Sequence, residues 1–206
     1  MGLHSYDLDP YCFSCPSCEY ENIIDPSDLY LSEEYHCERC GANIMEHQMK
    51  FMIEQIAVCP KDPSKAKDLL EDMGAANWSE DHVVAEGEVF GVPSRNEADL
   101  SFNYDITHGE FEVLNYTKGT NWMQEQARGL NSVSHLGMHC TADELWKWRK
   151  FFYDRGIEVA QEVMTESHTN PIIAGKRTYN YVIFDTKEVL GVDLKFIVRK
   201  NQDDSV

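Results

Sequence analysis

Between residues 53 and 200 the apolar positions follow two rhythms, and the same order of rhythms occurs twice. Val133–Cys140, read V-S-H-L-G-M-H-C, alternates with a period of two, the mark of a half-buried strand. On such a strand His135, Gly137 and His139 point one way while Leu136 and Met138 point the other. Ile53–Cys59, read I-E-Q-I-A-V-C, echoes it, with Gln55 in the place of His135 and Ala57 in the place of Gly137, an offset of 135 − 55 = 80 residues. After each strand the spacing becomes helical. Ser64–Gly74 carries Ala66, Leu69, Leu70 and Met73, and Ala142–Gly156 follows the capping-box run Thr141-Ala-Asp-Glu. Strand-like runs then lie near His82–Phe90, Ala98–Ile106 and Glu110–Thr117 in the first copy. In the second they lie near Glu158–Thr165, Arg177–Thr186 and Asp193–Lys200. The pattern predicts an α+β chain with two tandem βαβββ modules, about 50–118 and 132–200, joined by the Gly- and Asn-rich segment Asn115–Asn131. Trp146, Trp148, Phe151, Phe152 and Tyr153 read as the covering face of the second helix, and Cys59 and Cys140 as buried small hydrophobes.

Composition narrows the partners. The chain has 206 residues with 42% apolar content, enough for a core of real size, and no apolar run approaches the length of a membrane helix. MGLHSYDLDP has neither the basic start nor the apolar core of a secretory signal, so a cytoplasmic location is expected. A net charge of −18, from 36 acids against 18 bases, repels phosphate backbones and anionic lipids, which argues against nucleic acid and membrane partners.

Five of the seven cysteines stand in the first 40 residues. Cys15-Pro-Ser-Cys18 and Cys37-Glu-Arg-Cys40-Gly41 are two C-x-x-C knuckles 18 residues apart, a pattern that resembles a zinc ribbon and predicts a tetrahedral S₄ zinc site over about residues 10–45. Residues 1–48 carry ten acids and the single base Arg39, 1 − 10 = −9, so the expected role of this zinc is structural rather than nucleic-acid binding. The expected domains are therefore a ribbon over 1–48, a body over 49–200 and a tail over 201–206.

Four short stretches of the body carry a resemblance: Q-I-A-V at 55–58, F-E-V-L-N-Y at 111–116, S-H-L-G-M at 134–138 and L-G-V-D-L-K-F-I at 190–197. They look like the vicinal oxygen chelate superfamily, the group of glyoxalases, extradiol dioxygenases and bleomycin-resistance proteins. The resemblance implies that the two modules form a cupped, barrel-like mixed sheet. It also implies a divalent metal (Zn, Ni, Mn or Fe) held from the first and last strands of both modules, at Gln55, Glu112, His135 and Lys195. Gln, Glu and His suit such an ion, but the family usually has Glu where Lys195 stands, and an ammonium offers no lone pair.

Three readings of Lys195 stay open. It clamps an anionic ligand in a metal-free cup; it serves as acid or base beside a three-ligand metal; or Asp193, two residues earlier on the same face, is the true fourth ligand.

Other polar residues of the second module gather over the expected cup. His139 shares the face of His135; His168 and Asn170 lie in the turn-like run Thr165–Pro171; Arg177, Tyr179 and Tyr181 share one face of a strand. Together they suit a small anionic or oxygen-rich ligand. The implied function is a glyoxalase-like protein that binds or acts on a small molecule. One form is a metal-dependent lyase, isomerase or dioxygenase in which His139 or Lys195 moves a proton; the alternative is a non-catalytic binder that grips its ligand with Lys195, Arg177 and His168. The oligomeric state is left open, a homodimer included.

Overall fold

The computed structural model describes residues 11–15, 17–24, 35–43, 51–119, 132–170 and 174–201. Most of the Asn115–Asn131 connector, Pro171 and the tail beyond Asn201 lie outside them. Two compact units result: Met1–Lys50 with Ala142–Gly156, and Phe51–Thr141 with Ile157–Val206.

In the first unit, strands β1 (Tyr11–Ser14) and β2 (Glu21–Ile24) form an antiparallel hairpin. Its companion is a helix, α2 (Ala142–Tyr153), whose Leu145, Trp146, Trp148 and Phe152 are buried. A backbone hydrogen bond from Ser14 to the Asp143 carboxylate ties hairpin to helix. Sequence reading placed this helix in the body as the helix of its second module; it keeps that position in the order of elements but clusters with the N-terminal segment.

The second unit is a closed eight-stranded barrel, in the order β10-β7-β3-β6-β5-β4-β8-β9. Its first module supplies β3 (Gln55–Val58), β4 (Ser79–Val89), β5 (Val92–Asn103) and β6 (Glu110–Lys118). The second supplies β7 (Val133–His139), β8 (Val159–Ser167), β9 (Arg177–Phe184) and β10 (Asp193–Asn201), with the single-turn helix α3 (Lys187–Leu190) before β10. The α+β, barrel-like architecture expected from the sequence is what the chain adopts. Helix α1 (Pro63–Asp72) starts where Asp62 accepts from the Lys65 N–H and Pro63 presets the first turn, and it buries no residue.

The duplication is written in the strand registers. β3 and β7, the first strand of each module, pair antiparallel with Gln55 opposite Gly137 and Ala57 opposite His135. Each first strand pairs in parallel with its own module's last strand, Ala57 beside Glu112 and Gly137 beside Lys195. Closure comes from β4 against β8, where Gly87 is obligatory: a Cβ there would stand 2.1 Å from the Glu162 carbonyl oxygen. Inside, Ala57, Cys59, Val83, Ala98, Leu100, Leu114, Tyr116, Ala160 and Ile183 form the apolar core.

Candidate functional site

The four knuckle cysteines converge. Their sulfurs all lie within 4.8 Å of one another, with Cys15 Sγ to Cys40 Sγ at 3.6 Å and Cys18 Sγ to Cys37 Sγ at 3.7 Å. A tetrahedral zinc with bonds of about 2.3 Å sets its sulfurs about 3.8 Å apart. These separations are ligand edges, far beyond a disulfide bond of about 2.05 Å. Two like-built turns present them: Glu19 N–H to Cys15 O at 2.7 Å and Gly41 N–H to Cys37 O at 2.8 Å, with Glu19 (φ 57°) and Gly41 (φ 71°) both left-handed. Fully buried Asn22 holds the cluster from behind, its amide on Cys37 Sγ at 3.7 Å and its oxygen on the Glu38 N–H at 2.9 Å. Burial pushes the Cys37 thiol up, but the Cys40 and Arg39 N–H groups and Asn22 outweigh it and bring it down to about 6. The cluster thus fits a soft divalent ion such as zinc.

The second site lies within the barrel. Its floor is a chain of contacts through residues from both modules. Gln55 Nε2 donates to Glu110 Oε2 at 2.8 Å, which fixes the amide's orientation, so Gln55 Oε1 accepts from His135 Nε2 at 3.0 Å. His135 Nδ1 is then the acceptor for the Ser134 hydroxyl at 3.2 Å. Glu112 Oε2 lies 3.4 Å from His135 Nε2 and 3.8 Å from Lys195 Nζ, and Lys195 caps the Tyr181 ring 4.2 Å from its centre. Gly137 leaves the space this needs, since a Cβ there would meet Gln55 Oε1 at 3.0 Å.

Burial alone would raise the Glu112 carboxyl; Lys195 first and His135 next hold it below the ordinary carboxylate range. Burial and the Lys195 charge push His135 down to about 4, so its ring is neutral at pH 7. Above this floor is a cavity of about 40 Å³, lined on its polar side by Asn96, Glu112, His135, Gln161, Thr165 and Lys195. Among the described residues none donates to Asn96 Oδ1 or Gln161 Oε1, and Glu112 Oε2 has only its longer contacts with His135 and Lys195.

No family model matches the chain, and no curated protein matches it. Among solved structures it is similar to a hypothetical protein from Bacillus halodurans C-125, at 9% identity over 73% of this chain and 96% of that one, with a TM-score of 0.46. It is also similar to a variant Streptomyces coelicolor methylmalonyl-CoA epimerase in complex with 2-nitronate-propionyl-CoA, at 11% identity, 71% and 95% coverage and a TM-score of 0.43. A third is methylmalonyl-CoA epimerase from Mycobacterium tuberculosis, at 9% identity, 78% and 98% coverage and a TM-score of 0.43.

Gln55, Glu112, His135 and Lys195 do meet, yet the set does not fit a divalent metal. The Nε2 of His135 carries its proton toward Gln55 Oε1, so two of the three neutral or anionic ligand atoms already satisfy each other. Beside the third stands an ammonium. A dication bound to Glu112 would face it at about 5 Å, a repulsion on the order of 7 kcal/mol at an effective dielectric of about 20. Asp193 does not rescue the set: in register it lies level with His135, one rung beyond Lys195, and it is absent from the cavity wall.

The remaining sequence-derived residues sit elsewhere. His139 ends β7, 41% exposed, where the alternation stops constraining it and Glu54 Oε2 takes both its N–H (2.7 Å) and its ring Nδ1 (3.2 Å). His168 is exposed, and Asn170 is held by Asp81, whose carboxylate accepts from its N–H at 3.2 Å. Arg177 opens β9 opposite Asn201, and Tyr179 stacks on Tyr181 at 6.0 Å. None of these five lines the cavity. Sequence reading missed Asn96, Gln161 and Thr165. Their signal was present as polar residues on the inward rhythm of Asn96–Leu100 and Gln161–Thr165.

Proposed function

We propose that the chain belongs to the vicinal oxygen chelate superfamily and is a small-molecule-binding protein that works without a metal in its barrel. Of the two expected forms, metal-dependent lyase, isomerase or dioxygenase and non-catalytic binder, this reading takes the second. The observation that carries this reading is the pair of acceptor oxygens without donors, Asn96 Oδ1 and Gln161 Oε1, on the wall of one cavity within the barrel. Buried acceptors without donors each cost about 1–3 kcal/mol, so the cavity is built for an occupant that brings N–H or O–H groups. With Lys195 already paired to Glu112, the wall is close to neutral and does not call for an anion.

Size bounds the occupant. At about 10–15 Å³ of probe room per water, 40 Å³ holds about three waters or a molecule of a few heavy atoms.

Thermal melting with acetamide, methylammonium and acetate as probes tests this. Acetamide or methylammonium should raise the Tm as its concentration passes its Kd, and Gln161→Leu should blunt the shift. Stabilisation by acetate alone, or by none of the three, counts against the reading.

The ribbon is assigned a structural zinc, held by Cys15, Cys18, Cys37 and Cys40. None of the described cysteines forms a disulfide. No helix among the described residues is long and apolar enough to cross a membrane.

A further inference from the structure

We infer that Lys195 is a built-in cation, standing where the barrel's two-fold pattern would otherwise gather ligands around a divalent ion. The registers make Glu112 and Lys195 the same position in the two modules: each lies beside the small residue of its module's first strand, Ala57 for Glu112 and Gly137 for Lys195. One copy supplies a carboxylate and the other an ammonium, and both side chains are buried, at 1% and 6% exposure. A buried carboxylate needs a positive partner at hand. Here the partner is covalently part of the chain, 3.8 Å from Glu112 Oε2, with its other side against the Tyr181 ring.

The rest of the floor has adjusted to it. Gln55 Oε1 and His135 Nε2, atoms that would have to face an ion, face each other at 3.0 Å. This inference rests on the metal-free part of the proposed function and not on what the cavity binds, and its test reads metal content rather than ligand binding.

The test counts metal ions per chain by elemental analysis of protein purified without chelator. The wild type should hold one ion, lost in Cys18→Ser and retained in His135→Ala. Lys195→Glu gives both modules a carboxylate beside Gln55 and His135, and should take up a second ion when Mn²⁺ or Ni²⁺ is supplied. Wild-type protein with two ions, one of them lost in His135→Ala, overturns the inference. So does a Lys195→Glu protein with native β-sheet circular dichroism that stays at one ion.

If Lys195→Glu fails to fold, a stability cycle decides instead. Lys195→Met should lower the urea midpoint and adding Glu112→Gln should restore most of the loss. A double variant no more stable than Lys195→Met shows that the two charges are not coupled, and overturns the inference.

Discussion

At the scale of single residues, two buried groups pull stability in opposite directions over one pH window. His135 is depressed to about 4 by burial and by Lys195, so its contribution is complete above its ordinary 6.5 and is lost as pH falls through about 4. Asp193 is raised to about 6, first by burial and then by Asp185. Its contribution is therefore complete below its ordinary 3.8 and is lost as pH rises through about 6. Each shift is worth on the order of 3 kcal/mol at 1.36 kcal/mol per unit. Between pH 4 and 6 these two slopes oppose each other. Asp193→Asn removes the counterweight: its urea midpoint should exceed the wild type's at pH 8 and then fall by the equivalent of about 2 kcal/mol between pH 6.5 and 4. An Asp193→Asn profile parallel to the wild type's would show that Asp193 does not titrate with folding. Gly137 supplies a steric test at the same site. Gly137→Ala puts a methyl carbon 3.0 Å from Gln55 Oε1 and 3.2 Å from its Cβ, so the Gln55 side chain must give by a few tenths of an ångström against His135. A loss of about 1–2 kcal/mol is expected, with the His135 ring NMR signals shifted.

At the scale of elements, the β4–β5 hairpin shows both a weak point and why part of the chain was hard to read. Val89 pairs with Val92, leaving Phe90 and Gly91 as a two-residue loop with φ of 47° and 72°. Those angles belong to a turn that favours Asn-Gly, and an aromatic residue held left-handed costs roughly 1–2 kcal/mol. Phe90→Asn should therefore raise the urea midpoint by the equivalent of about 1 kcal/mol; an unchanged or lower midpoint means the ring's contacts outweigh the strain. Because Phe-Gly is not a recognised hairpin signal, the alternation there reads as two shorter strands, near 82–90 and 98–106, rather than Ser79–Val89 and Val92–Asn103. The first and last strands of each module were legible for the opposite reason: an apolar face, Ile56 and Val58, Phe111 and Val113, Leu136 and Met138, Leu194 and Phe196, fixes the alternation and sets Gln55, Glu112, His135 and Lys195 on the other. In β5 and β8 polar residues lie on both faces, so alternation could not tell inward Asn96 and Gln161 from their outward neighbours Glu97 and Glu162. His139 misled because a strand's periodicity holds only inside its ladder, and His139 stands at the end.

At the scale of the whole molecule, the two units are held together by different means. The barrel has a closed ladder and an apolar core. The described N-terminal residues have two strands of four residues and three buried side chains, Cys15, Asn22 and Cys37, of which two are sulfur ligands and the third is bonded to one of them. An ion held by the four cysteines would contribute its binding energy, about 10–16 kcal/mol for structural zinc in small domains, to the folding of these residues. Helix α2 shares that unit, through Asp143 and the Ser14 backbone among other contacts. Stripping the ion with a strong chelator should therefore speed hydrogen exchange in residues 11–43 and in Ala142–Tyr153 by at least tenfold. Strands β3 to β10 should keep their protection, because every ladder bond that closes the barrel lies outside the cysteine unit. Cys18→Ser should reproduce the pattern without chelator. Uniform loss of protection would show that the barrel needs the ion as well. Protection kept by α2 while residues 11–43 exchange freely would show that the helix is ordered by the barrel's sequence neighbours and not by the cysteine cluster.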